Sequence, residues 1–200
     1  MPTRFSKNTR YLPGAHEQPR SAQPQEDALC VSLGGLSKSA GLPQMKTGWM
    51  VLTGPAAAVE ELRERLLLVA DTYLSVSTPV QAALPRLLNL GRTIGDAIRQ
   101  RTRANLEFLR KSAAAAPHLT LLSTGGGWNA VLRLPSFRTD AEWSASLLNE
   151  TGVLAQPGYL YDFEGEAWLV LSLLSNDAVF EEGVLRLGAH VEEATRQAHV

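Results

Sequence analysis

Lys38 stands in GGLSKSAGLPQMKTGW, Gly34 to Trp49, where glycine, serine and proline surround two lysines. An amine held there between two strand ends can be partly enclosed by glycine-permitted backbone. Desolvation lowers an ammonium pKa, and the neutral amine is the form that condenses with a carbonyl to an imine. Taken alone, a lysine in a Gly/Ser loop is ordinarily a solvated surface residue. Other candidates for chemistry are weaker. His16, His118, His190 and His199 are scattered without ligand spacing, and a single cysteine leaves no cluster to hold zinc. Gly125, Gly126 and Gly127 lack the Gly-Lys-Ser/Thr continuation of a phosphate cradle and read as a tight turn into a strand. Trp49, Trp128, Trp143 and Trp168 read as packing residues of cores and domain seams.

The elements that must position Lys38 are two short apolar runs. Ala28 to Leu33 (ALCVSL) and Gly48 to Thr53 (GWMVLT) predict buried strands that pair antiparallel, with Lys38 in the connection. Cys30 then reads as a small buried strand residue. Gly54 breaks the second strand and Pro55 opens a helix, along which Val59, Leu62, Leu66, Val69 and Tyr73 form an apolar stripe and Glu61 and Arg65 pair on the wet face. A second helical stretch runs from Pro79, with Pro85 as a kink point, to about Ala116, where Pro117 ends it.

Beyond Pro117 the texture changes. Leu119 to Leu122 and Trp128 to Leu134 read as strands, and Thr139 with Glu142 makes a capping box for a helix through Asn149 that Gly152 ends. Val153 to Ala155 and Ala167 to Leu174 are further strands, and Phe180, Val184, Leu187 and Val191 are the stripe of a last helix. The alternation predicts a compact α+β unit. Residues 1–27 carry no sustained periodicity and read as a tail with little structure of its own. Arg4, Lys7 and Arg10 with few acids suit a transit peptide less well, and no apolar secretory segment is present.

Over 200 residues, 19 Lys+Arg stand against 20 Asp+Glu. Without a basic surplus, nucleic acid and anionic membrane surfaces are set aside as partners. The longest apolar runs fall short of the ~20 residues that span a bilayer. One cysteine permits no intrachain disulfide, which suits a reducing, cytoplasmic setting.

Ser37-Lys38-Ser39-Ala40-Gly41-Leu42-Pro43, followed by Gly48-Trp49, resembles the S-K-x-x-G-x-P…G-W signature around the cofactor lysine of class I/II aminotransferases of fold type I. ADTYLSVSTPVQ (Ala70 to Gln81), GGGWNAVLRLP (Gly125 to Pro135) and GVLAQPGYLYDF (Gly152 to Phe163) resemble the family's later segments in the family's order, so the likeness covers about residues 28 to 190. It implies an α/β chain with four parts. After the tail at 1–27 come the C-terminal part of the large cofactor-binding domain at 28–78, a long linking helix at 79–116 and the small C-terminal α+β domain at 117–200.

The resemblance further implies pyridoxal 5'-phosphate as cofactor, amino acids and 2-oxo acids as substrates, amino-group transfer as the reaction, and a homodimer. Lys38 corresponds to the lysine that holds the cofactor as a Schiff base and then moves a proton as acid and base. Lys46 matches a position where many relatives carry a phosphate-binding arginine, and keeps the charge without the bidentate fork. Where many relatives have a phosphate-binding serine this chain has Gly35, which leaves Ser37 as the hydroxyl donor. Where many relatives carry the arginine that binds the substrate carboxylate, this chain has Val170.

Other ring and phosphate contacts of the family come from the half that precedes the Lys38 strand, and the chain begins too late to contain it. Two alternatives therefore stand beside transamination: a catalytically incompetent fragment or docking subunit, and other chemistry of the same cofactor, such as that of a lyase or decarboxylase. The apolar side chains of Leu33, Met50 and Leu52 are expected to be less buried than their type suggests.

Overall fold

The computed structural model describes residues 27–73 and 75–198. The tail expected over 1–27 lies outside these residues apart from Asp27, as do His16 and His199. Among the described residues the chain divides after Ala97 into two compact units.

In the first unit, β1 (Cys30–Gly35) and β2 (Gly48–Thr53) pair antiparallel, in register from Cys30 opposite Thr53 to Gly35 opposite Gly48. This is the expected pairing, but β1 starts two residues late and takes in both glycines. A Cβ on Gly34 would lie 2.2 Å from the Trp49 indole nitrogen, so the ladder continues past Leu33 because residue 34 has no side chain. Successive strand residues face opposite sides. Val31, Leu33, Met50 and Leu52 therefore share one face, on which Leu33 is 78% exposed and Met50 53%, as the sequence leads one to expect, while Leu52 is half-buried. Cys30 is half-buried rather than buried.

Pro55 precedes α2 (Ala56–Asp71), and Glu61 pairs with Arg65 as predicted. Of the expected stripe, Val59, Leu62 and Leu66 are half-buried, whereas Val69 and Tyr73 are exposed. Helix α3 (Thr78–Ala115) carries through Pro85. Its Gly91 seats on the Lys38 loop: a Cβ there would come within 2.3 Å of the Ala40 methyl.

The second unit, from Ile98, holds a four-stranded antiparallel sheet in the order β3-β4-β6-β5, made of β3 (Thr120–Leu121), β4 (Asn129–Arg133), β5 (Gln156–Pro157) and β6 (Trp168–Ser172). One face, with Ala130, Leu132, Leu169 and Leu171, joins a core with Leu106 and Leu109 of α3, Trp143 and Leu147 of α4 (Asp140–Thr151), and Phe180, Val184, Leu187 and Val191 of α5 (Asp177–Ala198). The stripe predicted for the last helix is thus its buried side. Thr139 and Glu142 form the predicted capping box, and Gly152 ends α4 at φ 71, a left-handed conformation that glycine adopts without strain. The strand expected at Val153 to Ala155 is absent. Pairing occurs instead at Gln156 and Pro157, opposite Val170 and Leu169. Among the described residues no helix is long and apolar enough to cross a membrane.

Candidate functional site

The loop bearing Lys38 is closed at its base by backbone. Leu36 N–H donates to the Thr47 carbonyl at 3.0 Å, and Leu36, Ala40 and Thr47 are buried as anchors. Between them Leu36–Ser39 makes α1, a single turn that the sequence did not announce. The Ser39 hydroxyl donates to the Gly35 carbonyl at 2.6 Å, and the N–H groups of Ala40 and Leu42 both reach the Leu36 carbonyl, at 3.1 and 3.0 Å. Gly41, at φ 66, permits that reversal. Hydrogen bonds on both sides thus fix the backbone that carries Lys38.

The return path is a 3₁₀ turn, Pro43–Met45, capped by Lys46 at φ 47. A left-handed non-glycine residue costs roughly 1–2 kcal/mol. Thr47 offsets part of this by donating its hydroxyl to the Met45 carbonyl at 2.9 Å. Ser37 follows Leu36 and Lys46 precedes Thr47, so the hydroxyl and the second ammonium start beside the bond that closes the loop. Ser37 is half-buried; Lys38 and Lys46 are exposed. Lys38 is thus exposed where partial enclosure was expected. Gly35 is extended, and a Cβ there would meet the Thr47 carbonyl at 3.3 Å.

Val170 is 2% exposed, on the sheet face opposite the apolar core. His190 meets the Ser146 hydroxyl at 3.0 Å and lies 3.7 Å from the Glu150 carboxylate. No group of three or more His, Cys, Asp or Glu side chains placed to hold a metal occurs among the described residues. Two residues that sequence reading passed over stand out. Asp140, 2% exposed, accepts the N–H groups of Trp168 and Tyr159 at 2.7 and 3.0 Å. Arg133 lies with its guanidinium carbon 5.0 Å from the centre of the Trp168 ring. Strand alternation places Arg133 on the Val170 face, a signal present in the sequence once β4 is in register with β6.

Residues 11–187 match the family model described as aminotransferase class I and II. No curated protein matches the sequence. Among solved structures, an aromatic aminotransferase from Pyrococcus horikoshii OT3 aligns with a TM-score of 0.75 at 16% identity, over 96% of this chain and 50% of its own. The alanine aminotransferase of Pyrococcus furiosus gives 0.75 at 20% identity, over 94% and 48%. Escherichia coli YbdL, identified as having a methionine aminotransferase function, gives 0.73 at 21%, over 92% and 48%. At these identities the likeness is one of fold, and the chain spans about half the length of the structures it matches.

Proposed function

For a chain that belongs to the class I and II aminotransferase family, we propose transfer of an amino group from an amino acid to a 2-oxo acid, with pyridoxal 5'-phosphate held at Lys38. The observation that carries this reading is the family match over residues 11–187, which includes the whole Lys38 loop. The donor set agrees with it: an exposed primary amine for the aldehyde, and beside the loop's base the Ser37 hydroxyl and the Lys46 ammonium for a phosphate. In this reading 28–78 is the end of a large domain, 79–116 the linking helix and 117–200 the small domain of a cytoplasmic homodimer.

The cofactor, when bound, supplies the electron sink that acidifies the substrate α-carbon. Lys38 would hold it through Nζ. The same Nζ would accept the substrate α-proton and hold it for return. The rigid α1 backbone limits where Nζ can go, which is a positioning contribution. Ser37 and Lys46 would bind its phosphate, more weakly than an arginine fork.

The test is nitrogen tracing: the chain with pyridoxal phosphate, ¹⁵N-labelled amino acids and unlabelled 2-oxo acids. Label in a new amino acid, abolished by Lys38→Ala, is the expected result. Carbon dioxide or ammonia without a new amino acid would replace transamination by decarboxylase or lyase chemistry. A second reading, a subunit that docks to a polypeptide carrying the other half of the fold, is favoured by the exposed Leu33 and Met50. Activity that appears only after such a polypeptide is added supports it.

A further inference from the structure

Helices α4 and α5 meet at His190, whose side chain is 8% exposed. Ser146 and Glu150 stand one turn apart on α4 and so share the helix side that faces it. The Ser146 hydroxyl oxygen lies 3.0 Å from Nε2 of His190, and the Glu150 carboxylate 3.7 Å from Nδ1. Trp143, fully buried, meets the imidazole edge-on at 6.1 Å and restricts the ring. Arg138 joins the cluster: stacked on the same indole at 5.0 Å, it donates through Nη1 to the Ser146 hydroxyl oxygen at 3.2 Å.

Charge decides where the protons sit. A neutral imidazole carries a hydrogen on one nitrogen and a lone pair on the other. A lone pair on Nδ1 would point at the Glu150 carboxylate, so the hydrogen belongs on Nδ1 and the lone pair on Nε2. The Ser146 hydroxyl then donates to Nε2. The Trp143 carbonyl, at 3.2 Å, competes for the same hydrogen, but it is the more distant acceptor and already takes the Leu147 N–H in the helical pattern. Hydroxyl, base and orienting carboxylate follow one another in the order that activates a serine. Ser146 is half-buried rather than sealed, which leaves a small reagent a way in.

We propose that Ser146 is a nucleophile toward small carboxylic esters, with His190 as its general base and Glu150 as the group that orients the base. Oγ bonds to the ester carbonyl carbon as the bond to the leaving oxygen breaks. The hydroxyl proton passes to Nε2 and from there to the leaving oxygen, and water releases the acyl group by the same path. Arg138 is the donor beside the negative charge that gathers during attack, because the backbone N–H groups in the interior of α4 are committed to the helix. The site lies wholly within the second unit and does not depend on Lys38.

The test uses the full chain and two probes. A fluorophosphonate, which Oγ attacks at phosphorus with loss of fluoride, is mapped by peptide analysis, and p-nitrophenyl acetate reports turnover. Label should fall on Ser146 ahead of Ser144, which shares the helix but donates its hydroxyl to the Ala155 carbonyl at 2.6 Å. Ser146→Ala should lower p-nitrophenolate release. His190→Gln keeps a hydrogen-bonding side chain without the base and should slow labelling of Ser146 about a hundredfold. Glu150→Gln, at an exposed position that cannot unfold the chain, should slow it about twofold to fivefold, the value of an exposed charge contact. Melting temperatures of the variants check the fold, and Glu150→Gln decides alone if His190→Gln melts early. Labelling of Ser146 no faster than Ser144, rates equal in wild type and the variants, or p-nitrophenolate release unchanged by Ser146→Ala overturns the proposal and leaves the cluster as a fastening between α4 and α5.

Discussion

The carboxylate of Asp140 accepts the backbone N–H of Trp168 at 2.7 Å, tying the first turn of α4 to the first residue of β6 across 28 positions of sequence. Its other oxygen takes the N–H of Tyr159 at 3.0 Å. Asp140→Ala leaves two donors without their partner, so we expect a loss of about 2–4 kcal/mol. Urea unfolding followed by tryptophan fluorescence measures it; a change below about 0.5 kcal/mol would contradict the role.

Gly158 sits in the same knot. A Cβ there would lie 2.4 Å from the Trp168 Cβ and 2.9 Å from the Asp140 carboxylate. Neither neighbour is the free end of a flexible chain, so Gly158→Ala must displace backbone. The expected cost is about 1–3 kcal/mol, with a changed Trp168 indole resonance. An unchanged melting temperature would show that the contact yields freely.

The capping box predicts a pH dependence. Glu142 accepts the Thr139 N–H at 2.8 Å and its hydroxyl at 3.0 Å, and these bonds, the backbone one first, hold its carboxyl below the usual glutamate range. A depressed folded value means the stabilisation is fully present above the ordinary glutamate pKa and is lost as pH falls through the folded one. The melting-temperature gap between wild type and Glu142→Ala should therefore be widest near neutrality and narrow in acid. A gap of constant size across that range would remove ionisation from the account.

The β1–β2 face offers Leu33 and Met50 to solvent. Such a face favours association. Leu33→Lys with Met50→Lys should reduce both self-association in sedimentation velocity and binding of a hydrophobic dye. Wild-type chain that sediments as a dye-free monomer would contradict this.

Gly35 can be tested by addition. Its backbone is extended, which any residue adopts, and a side chain there needs the Thr47 carbonyl to give only slightly. Gly35→Ser supplies the hydroxyl that the family resemblance implies at this position. Pyridoxal phosphate affinity should rise roughly threefold to tenfold, about the value of one added hydrogen bond. No rise, or a fall, would place the phosphate elsewhere.

Most of the fold was legible because its signals are local. The stripe of α5 and the Thr139 capping box are periodic or motif-like, and both stand where the sequence sets them. Misses arose where tertiary contacts decide. Gly34 and Gly35 look like strand breakers, yet β1 includes both, and at Gly34 the Trp49 indole occupies the space a side chain would need. Pro157 argues against a strand, but β6 offers pairing at that register and not at Val153. The motif singles out Lys38 as a candidate, whereas its exposure follows from packing that no local pattern encodes. Asp140 and Arg133 act through partners in other elements, so nothing beside them in sequence marks them.

The measurement that bears most directly on the account is borohydride reduction of the chain with pyridoxal phosphate, followed by peptide mapping. A specific imine needs phosphate donors to localise the aldehyde and walls to exclude water. Here Lys38 holds the position the resemblance implies, while Gly35 and Lys46 stand where it implies a serine and an arginine for the phosphate, so under the proposed function label should concentrate on Lys38 with low affinity and vanish in Lys38→Ala. Label spread evenly over Lys7, Lys38, Lys46 and Lys111 would contradict Lys38 as the cofactor lysine, and tight stoichiometric binding would contradict the low affinity.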